Sequence, residues 1–189
     1  MDSRTEIRLA GEGGQGMILA GIILAEAAAI YAGKQVTQTQ SYGPESRGGA
    51  SRSEVVISDG EIDHPEVLNA DVVLALSQEA YNKFALTVRP GGLLIVDEDS
   101  VETSPSFRGI KIPISRIAYE TTGKAITANT VALGVLIGLT NLVSREAIEK
   151  AVTARAPKGT QEMNRKALQA GFAAAKQALL ASPTKEVAA

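Results

Sequence analysis

With 189 residues, an apolar fraction of 44% and a charged fraction of 21%, the chain has the make-up of one soluble globular domain with a single sizeable core. Its formal net charge of −2 lacks the basic excess of a nucleic-acid surface, and 4% aromatic residues without tryptophan leave no stacking platforms for a single strand. The absence of cysteine excludes disulfides, iron–sulfur ligation and a thiol nucleophile from this chain, and a single histidine leaves a metal only oxygen-rich ligand sets.

The first residues, Met1 to Thr5, lack the charged-then-apolar plan of a signal peptide, so a cytoplasmic setting is expected. Glu6 to Ala10 reads as a short strand, and Gly11-Glu12-Gly13-Gly14-Gln15-Gly16 as the turn that follows it. Glycine lets such a turn take positive φ and approach another group closely. The apolar run from Met17 to Ala32 contains Glu26 and is shorter than the roughly 20 residues that span a bilayer, which predicts a buried helix from about Gly14 to Ala32 and no membrane span. Its apolar residues fall on nearly every face, so covering on more than one side is expected, from this domain or from a partner. Gly33 stands where a C-terminal cap belongs.

Gln35 to Gln40 reads as a strand. The stretch Ser41 to Arg52 holds Gly43, Pro44, Gly48 and Gly49, which predicts a second irregular turn. A strand over Ser53 to Ser58 follows, with Asp59-Gly60 as a hairpin-type turn toward Glu61-Ile62. Ala70 to Ser77 is a near-continuous apolar strand covered on both faces. A helix from about Gln78 to Val88 is stopped by Pro90-Gly91-Gly92, and a buried strand over Leu93 to Asp97 ends in the acidic cluster Asp97-Glu98-Asp99. Gly109 to Ile114 alternates as a strand near an edge, where Pro113 is tolerated. Helices are predicted from about Arg116 to Thr122, Asn129 to Leu142, Ser144 to Ala156 and Thr160 to Leu180; Ser144 is a credible cap, and Ala147, Ile148, Ala151 and Val152 form one apolar stripe.

Strands alternating with helices, followed by a helical C-terminal third, predict a three-layer α/β/α domain with a largely parallel sheet over residues 1–181 and a flexible tail at 182–189. In such sheets ligands lie beyond the carboxyl ends of the strands. Both glycine-rich turns follow strands and can share that rim.

Amides at the start of a helix lack internal partners and carry its positive dipole end, so the first turn is a candidate anion seat. Gly11-x-Gly13-x-x-Gly16 also fits the dinucleotide fingerprint, but the acid expected at the end of the second strand is absent: that end reads Gln38-Thr39-Gln40-Ser41. Glycines that only permit tight strand–helix packing are the structural alternative. Arg47 and Arg52 are candidate anion contacts, against internal pairing with Glu45 and Glu54. The cluster at Asp97 is a candidate for metal or acid–base chemistry, against a solvated turn that caps a helix; His64 has no partner nearby in sequence. No nucleophile elbow, P-loop lysine or zinc motif is present, so no self-contained catalytic apparatus is visible.

The two glycine motifs, with Leu19-Ala20-Gly21, Tyr42-Gly43-Pro44-Glu45-Ser46-Arg47-Gly48-Gly49, Asp71 to Ala75 and Pro90 to Val96, make the chain from about Ile7 to Leu180 resemble the gamma subunit of the 2-oxoacid:ferredoxin oxidoreductases. The Tyr42-Gly43-Pro44-Glu45 form looks most like the 2-oxoglutarate type. The resemblance implies a multisubunit enzyme that decarboxylates a 2-oxoacid on thiamine diphosphate, passes electrons through iron–sulfur clusters to ferredoxin and transfers the acyl group to coenzyme A, or runs in reverse. It places thiamine diphosphate, Mg2+ and the clusters on other subunits, with alpha, beta and delta chains as partners. Residues Gly11, Gly13, Gly14, Gln15 and Gly16, with Ser41, Tyr42, Gly43, Arg47 and Gly48 beside them, are then expected to border the shared active site, where they cover the thiamine-bound intermediate or meet coenzyme A. An independent dinucleotide-binding oxidoreductase and a purely structural interaction subunit are the competing expectations.

Overall fold

The computed structural model describes residues 4–42 and 50–181. Strands β1 (Arg4–Glu12), β2 (Gln35–Ser41), β3 (Ala50–Ser58), β4 (Ala70–Ala75), β5 (Val88–Asp97) and β6 (Ile110–Ile112) form one sheet in the order β2-β3-β1-β4-β5-β6. The pairs β1/β4, β4/β5 and β5/β6 are parallel, whereas β3 is antiparallel to both its neighbours, β1 and β2. The sheet is therefore mostly parallel, as predicted, with one reversed strand set inside it.

Alternation along the strands sends side chains to two cores. Ile7, Leu9, Val55, Ile57, Val72, Leu74 and Ile95 face one side, where α1 (Met17–Glu26), α3 (Ile114–Thr122), α4 (Ala128–Thr140), α5 (Arg145–Arg155) and α6 (Gln161–Ala181) pack. Ala10, Val56, Val73, Ala75 and Val96 face the other, where α2 (Gln78–Phe84) contributes Ala80 and Phe84. Helices thus lie on both faces, but very unequally. The predicted covering of α1 on more than one side comes from within the chain: β1, β2 and β3 lie on one side of it and α4 and α5 on another, while Leu19 stays exposed. Helix α4 is buried at every residue from Ala128 to Ile137, the state expected of a helix apolar on all faces.

Several boundaries differ from those predicted. Ala50, Ser51 and Arg52 belong to β3 rather than to a loop, because they pair with Glu12, Gly11 and Ala10 of β1. Glu61-Ile62 is not a return strand; residues 59–69 form an irregular connection. The first helix is α-helical only to Glu26 and continues as a π turn over Ala27–Tyr31. Helix α2 ends at Phe84, and Val88 to Gly92, read as a helix end and its stop, already form the start of β5. Pro90 is tolerated there because β6 pairs only with Ile95 to Asp97, leaving the outer side of β5 free at the proline. An ion pair from Arg89 to Asp71 fixes this stretch beside β4, where the register shifts. The predicted tail at 182–189 lies outside the described residues. No described helix is long and apolar enough to cross a membrane.

At the N-terminus of α5 the Ser144 hydroxyl accepts from Ala147 N–H at 3.1 Å, the predicted cap. At its other end Arg155 donates to Glu26 and ties α5 to α1. This hydrogen bond holds the Glu26 carboxyl below its ordinary value of 4.5 and raises the Arg155 guanidinium. A carboxyl depressed on folding adds stability that is present above its unfolded-chain value and lost as pH falls through the depressed one. Arg155→Ala should therefore lower the unfolding midpoint at neutral pH, and the gap to the unsubstituted chain should narrow below pH 4.5, measured by thermal melts across pH 3 to 7. A gap constant over that range would show that the ion pair contributes nothing.

Candidate active-site rim

Strands β1, β2, β4, β5 and β6 all end at one rim of the sheet, and β3 begins there. Glu12 at the end of β1 lies opposite Ala50 at the start of β3, and Ser41 at the end of β2 opposite Arg52. The glycine turn after β1 thus lies beside Ala50 and on the same rim as Tyr42, the two residues that bound segment 43–49. Gly43, Arg47 and Gly48, with Pro44, Glu45, Ser46 and Gly49, lie outside the described residues. Ser41 is exposed, and Tyr42 is 69% exposed, a large apolar surface at the rim.

The turn is built around two glycines at positive φ, Gly14 at 95° and Gly16 at 75°, which a side chain would strain. Gln15 shapes it from within. Its N–H donates to Glu12 O (3.1 Å), its side-chain Oε1 accepts from Glu12 N–H (2.7 Å), and its Nε2 donates to Leu76 O (3.2 Å) just beyond β4. A Cβ on Gly11 would meet that Oε1 at 2.5 Å, so glycine at 11 makes room for the staple. Gly13 and Gly14 point the other way: nothing lies within 4 Å of a Cβ built on either. The outer edge of the turn therefore faces open space.

Helix α1 starts from this turn without a side-chain cap and with no acid in its first turn, so its dipole is uncompensated. Beneath it lies Asn129 of α4, only 6% exposed, whose Nδ2 is 2.7 Å from the position of a Cβ on Gly16. The sequence signal for this residue was available: Asn129-Thr130 is a polar pair at the start of an otherwise apolar helix.

The other candidates have structural partners. Arg52 pairs with Glu54 at 3.6 Å and lies over the Phe84 ring, so the internal pairing considered for it occurs. Glu54 is held more closely by Arg8, at 2.6 Å, a partner not anticipated from sequence. These charges line a polar cavity of about 330 Å³ with Thr39, Gln40 and Ser41. The Asp97 carboxylate accepts from Ser115 N–H, Ser115 Oγ and Ser100 Oγ, and so caps α3. Glu98 and Asp99 pair with Arg116. Capping accounts for Asp97, although that residue is fully buried rather than in the solvated turn expected, and among the described residues no group of His, Cys, Asp or Glu is arranged to hold a metal. His64 is exposed; its ring Nδ1 accepts from Glu66 N–H and its carbonyl from Arg4 Nη2. For the dinucleotide fingerprint the obstacle is topological. The acid-bearing second strand of that arrangement lies beside the first, but here β3 separates β2 from β1.

Residues 6–174 match the protein family described as pyruvate ferredoxin/flavodoxin oxidoreductase. The chain is 52% identical over 178 residues to the 2-oxoglutarate synthase subunit KorC of Methanocaldococcus jannaschii, covering 92% of this chain and 95% of that one. Among solved structures, the keto/oxoacid ferredoxin oxidoreductase gamma subunit of Geobacter sulfurreducens is similar with a TM-score of 0.84 and 50% identity, over 93% of this chain and 98% of that one. The 2-oxoglutarate:ferredoxin oxidoreductase of Magnetococcus marinus, solved with 2-oxoglutarate, coenzyme A and succinyl-CoA bound, is similar with a TM-score of 0.81 and 28% identity; the match spans 92% of this chain but 31% of that longer one.

Proposed function

The chain belongs to the pyruvate ferredoxin/flavodoxin oxidoreductase family, and from that premise we propose that it is the gamma subunit of a 2-oxoglutarate:ferredoxin oxidoreductase. The complex converts 2-oxoglutarate and coenzyme A to succinyl-CoA and carbon dioxide with electrons passed to ferredoxin, or runs the reverse carboxylation. The observation that carries this reading is the match to a 2-oxoglutarate synthase subunit along nearly the whole of both chains. The alpha, beta and delta subunits hold thiamine diphosphate, Mg2+ and the iron–sulfur clusters in the cytoplasm; a chain without cysteine adds no cluster ligand.

Within that assembly the rim formed by Gly11, Gly13, Gly14, Gln15 and Gly16, with Ser41 and Tyr42 beside it and Gly43, Arg47 and Gly48 in the adjoining segment, borders the active site shared with the partner subunits. Its open outer edge and uncompensated helix dipole suit the phosphate-bearing arm of coenzyme A. The separation of β2 from β1 speaks against an independent dinucleotide enzyme.

Gly13→Gln tests the assignment without disturbing the fold, because its backbone is not in the left-handed region and its Cβ meets no neighbour. The unfolding midpoint of the chain should stay unchanged, while the KM for coenzyme A in the assembled complex rises about tenfold, equivalent to ~1.4 kcal/mol of lost binding. Unchanged coenzyme A dependence together with unchanged assembly would remove the rim from the active site. Lost assembly with no kinetic change in the residual complex would make it a subunit contact alone.

A further inference from the structure

We propose that Glu79 is a positioning residue of the rim: its carboxylate pins the start of β3 beside the glycine turn, and the affinity for coenzyme A depends on that bond. The inference rests on the reading that the rim borders the shared active site, and adds to it a residue of α2 that acts through the backbone.

The last pair of the β1/β3 ladder is Glu12 with Ala50. The end of a ladder is where local opening costs least. Opening here would disturb two parts of the rim together. Glu12 supplies both backbone groups of the Gln15 staple, its N–H to Gln15 Oε1 (2.7 Å) and its O to Gln15 N–H (3.1 Å). Ala50 follows segment 43–49 directly and opens β3.

Two further bonds hold this pair closed. Ser51 Oγ donates to Gly11 O at 3.1 Å, and Ala50 N–H donates to Glu79 Oε1 at 3.0 Å. Ala50 is buried and Glu79 exposed, so a solvent-facing side chain of α2 turns back to take a backbone donor of the sheet, and its charge strengthens the bond. The start of α2 places it there. Leu76 N–H donates to Ala10 O (3.0 Å), Leu76 O accepts from Gln15 Nε2 (3.2 Å), Ser77 Oγ accepts from Ala80 N–H (3.2 Å), and Gln78 Oε1 accepts from Glu102 N–H (2.7 Å). Residues 76–79 therefore hold the turn after β1, the loop after β5 and the start of β3. Among the described residues Glu79 makes no other hydrogen bond or ion pair, so its tie to Ala50 can be removed alone.

An acid in the first turn of a helix is favourable wherever it points, and a merely structural Glu79 would do no more than that. Two substitutions separate the roles. Glu79→Gln removes the charge and keeps an oxygen that accepts from Ala50 N–H; Glu79→Ala removes both. In the assembled complex, Glu79→Ala should raise the KM for coenzyme A about fivefold with kcat held within about twofold, and Glu79→Gln should leave both constants within about twofold. Both variants lose the same charge at the start of α2, so a fall in thermal midpoint common to the two reports on the dipole and not on the rim. Hydrogen exchange of the complex should quicken in the peptide spanning Ala50 and Ser51 in Glu79→Ala and hold in Glu79→Gln. An unchanged coenzyme A constant in Glu79→Ala would overturn the inference, and so would an equal rise in both variants, which makes the charge and not the bond the cause. A Glu79→Ala complex that assembles poorly but is kinetically normal in what remains counts as the first of these. If Gly13→Gln still raised the coenzyme A constant in that case, the rim would border the active site without help from Glu79; if it did not, both readings would fall.

Discussion

Gly171→Leu should yield no folded chain, and Gly134→Ala should lower stability by about 2–3 kcal/mol, a large part of the ~5–15 kcal/mol that holds a domain together. Helices α4 and α6 cross where these glycines face each other. A Cβ on Gly134 would run into Leu168 O and lie 2.9 Å from Gly171 Cα; one on Gly171 would run into Val131 O and lie 2.8 Å from Gly134 Cα. All of these neighbours are backbone atoms, so no rotamer change relieves the contact and the helices must part. Parting cannot be local, because α4 is buried along Ala128 to Ile137 between α1 and α6. Alanine regains about 1 kcal/mol of helix propensity over glycine, which offsets part of the overlap and limits the effect at Gly134. Leucine adds three more carbons to a space that does not admit one. Soluble yield and denaturant melts measure both variants, with Gly13→Gln as the control whose new side chain meets nothing. A Gly134→Ala melt superimposable on that of the unsubstituted chain would show that the crossing yields more readily than these distances imply.

How much of this was legible in the sequence depended on whether the signal was local. The run Asp71-Val72-Val73-Leu74-Ala75 identified β4 because a strand covered on both faces is apolar without interruption. Ser144 announced α5 because its hydroxyl replaces a missing helical partner. The direction of β3 was not legible: antiparallel placement between β2 and β1 is a property of pairing, and nothing in Ser53 to Ser58 states which neighbour is taken. For the same reason Ala50-Ser51-Arg52, small and polar, looked like loop until Glu12, Gly11 and Ala10 supplied partners. Pro90-Gly91-Gly92 carries every local mark of a stop, yet it lies within β5, at the register shift against β4 and beyond the reach of β6, where no ladder bond needs the missing N–H. At the rim, the glycine spacing located the turn. The role of Gln15 as its internal staple and the approach of Asn129 from α4 depend on residues that meet only in three dimensions. The functional assignment came from family resemblance, since the residues alone pointed no further than an anion site.

Arg8→Met should destabilise the chain by about 3–5 kcal/mol, the cost of leaving a buried charge without its partner. Arg8 and Glu54 side chains are 7% and 10% exposed, and the guanidinium lies between four elements. Its Nε donates to Glu54 Oε1 at 2.7 Å, Nη2 donates to Val67 O at 3.0 Å, Nη1 donates to Thr87 Oγ1, and its plane lies over the Phe84 ring. One side chain on β1 thus links β3, the connection entering β4 and the turn entering β5. Methionine preserves much of the volume and none of the donors, so the loss reports on charge and hydrogen bonding more than on a cavity. Arg52, 3.6 Å from the same carboxylate and partly exposed, is too distant to replace a hydrogen-bonded guanidinium. The distinguishing measurement is the double variant Arg8→Met with Glu54→Leu. An apolar pair of similar volume removes both desolvation costs at once; Thr87 Oγ1 keeps its bond to Phe84 O, Val67 O loses a donor, and Arg52 and Thr39, both partly exposed, lose the Glu54 carboxylate. The double variant should therefore be more stable than Arg8→Met alone. Strictly additive losses would mean that each group is separately solvated and that the four elements are joined by their apolar contacts, with the ion pair incidental to them.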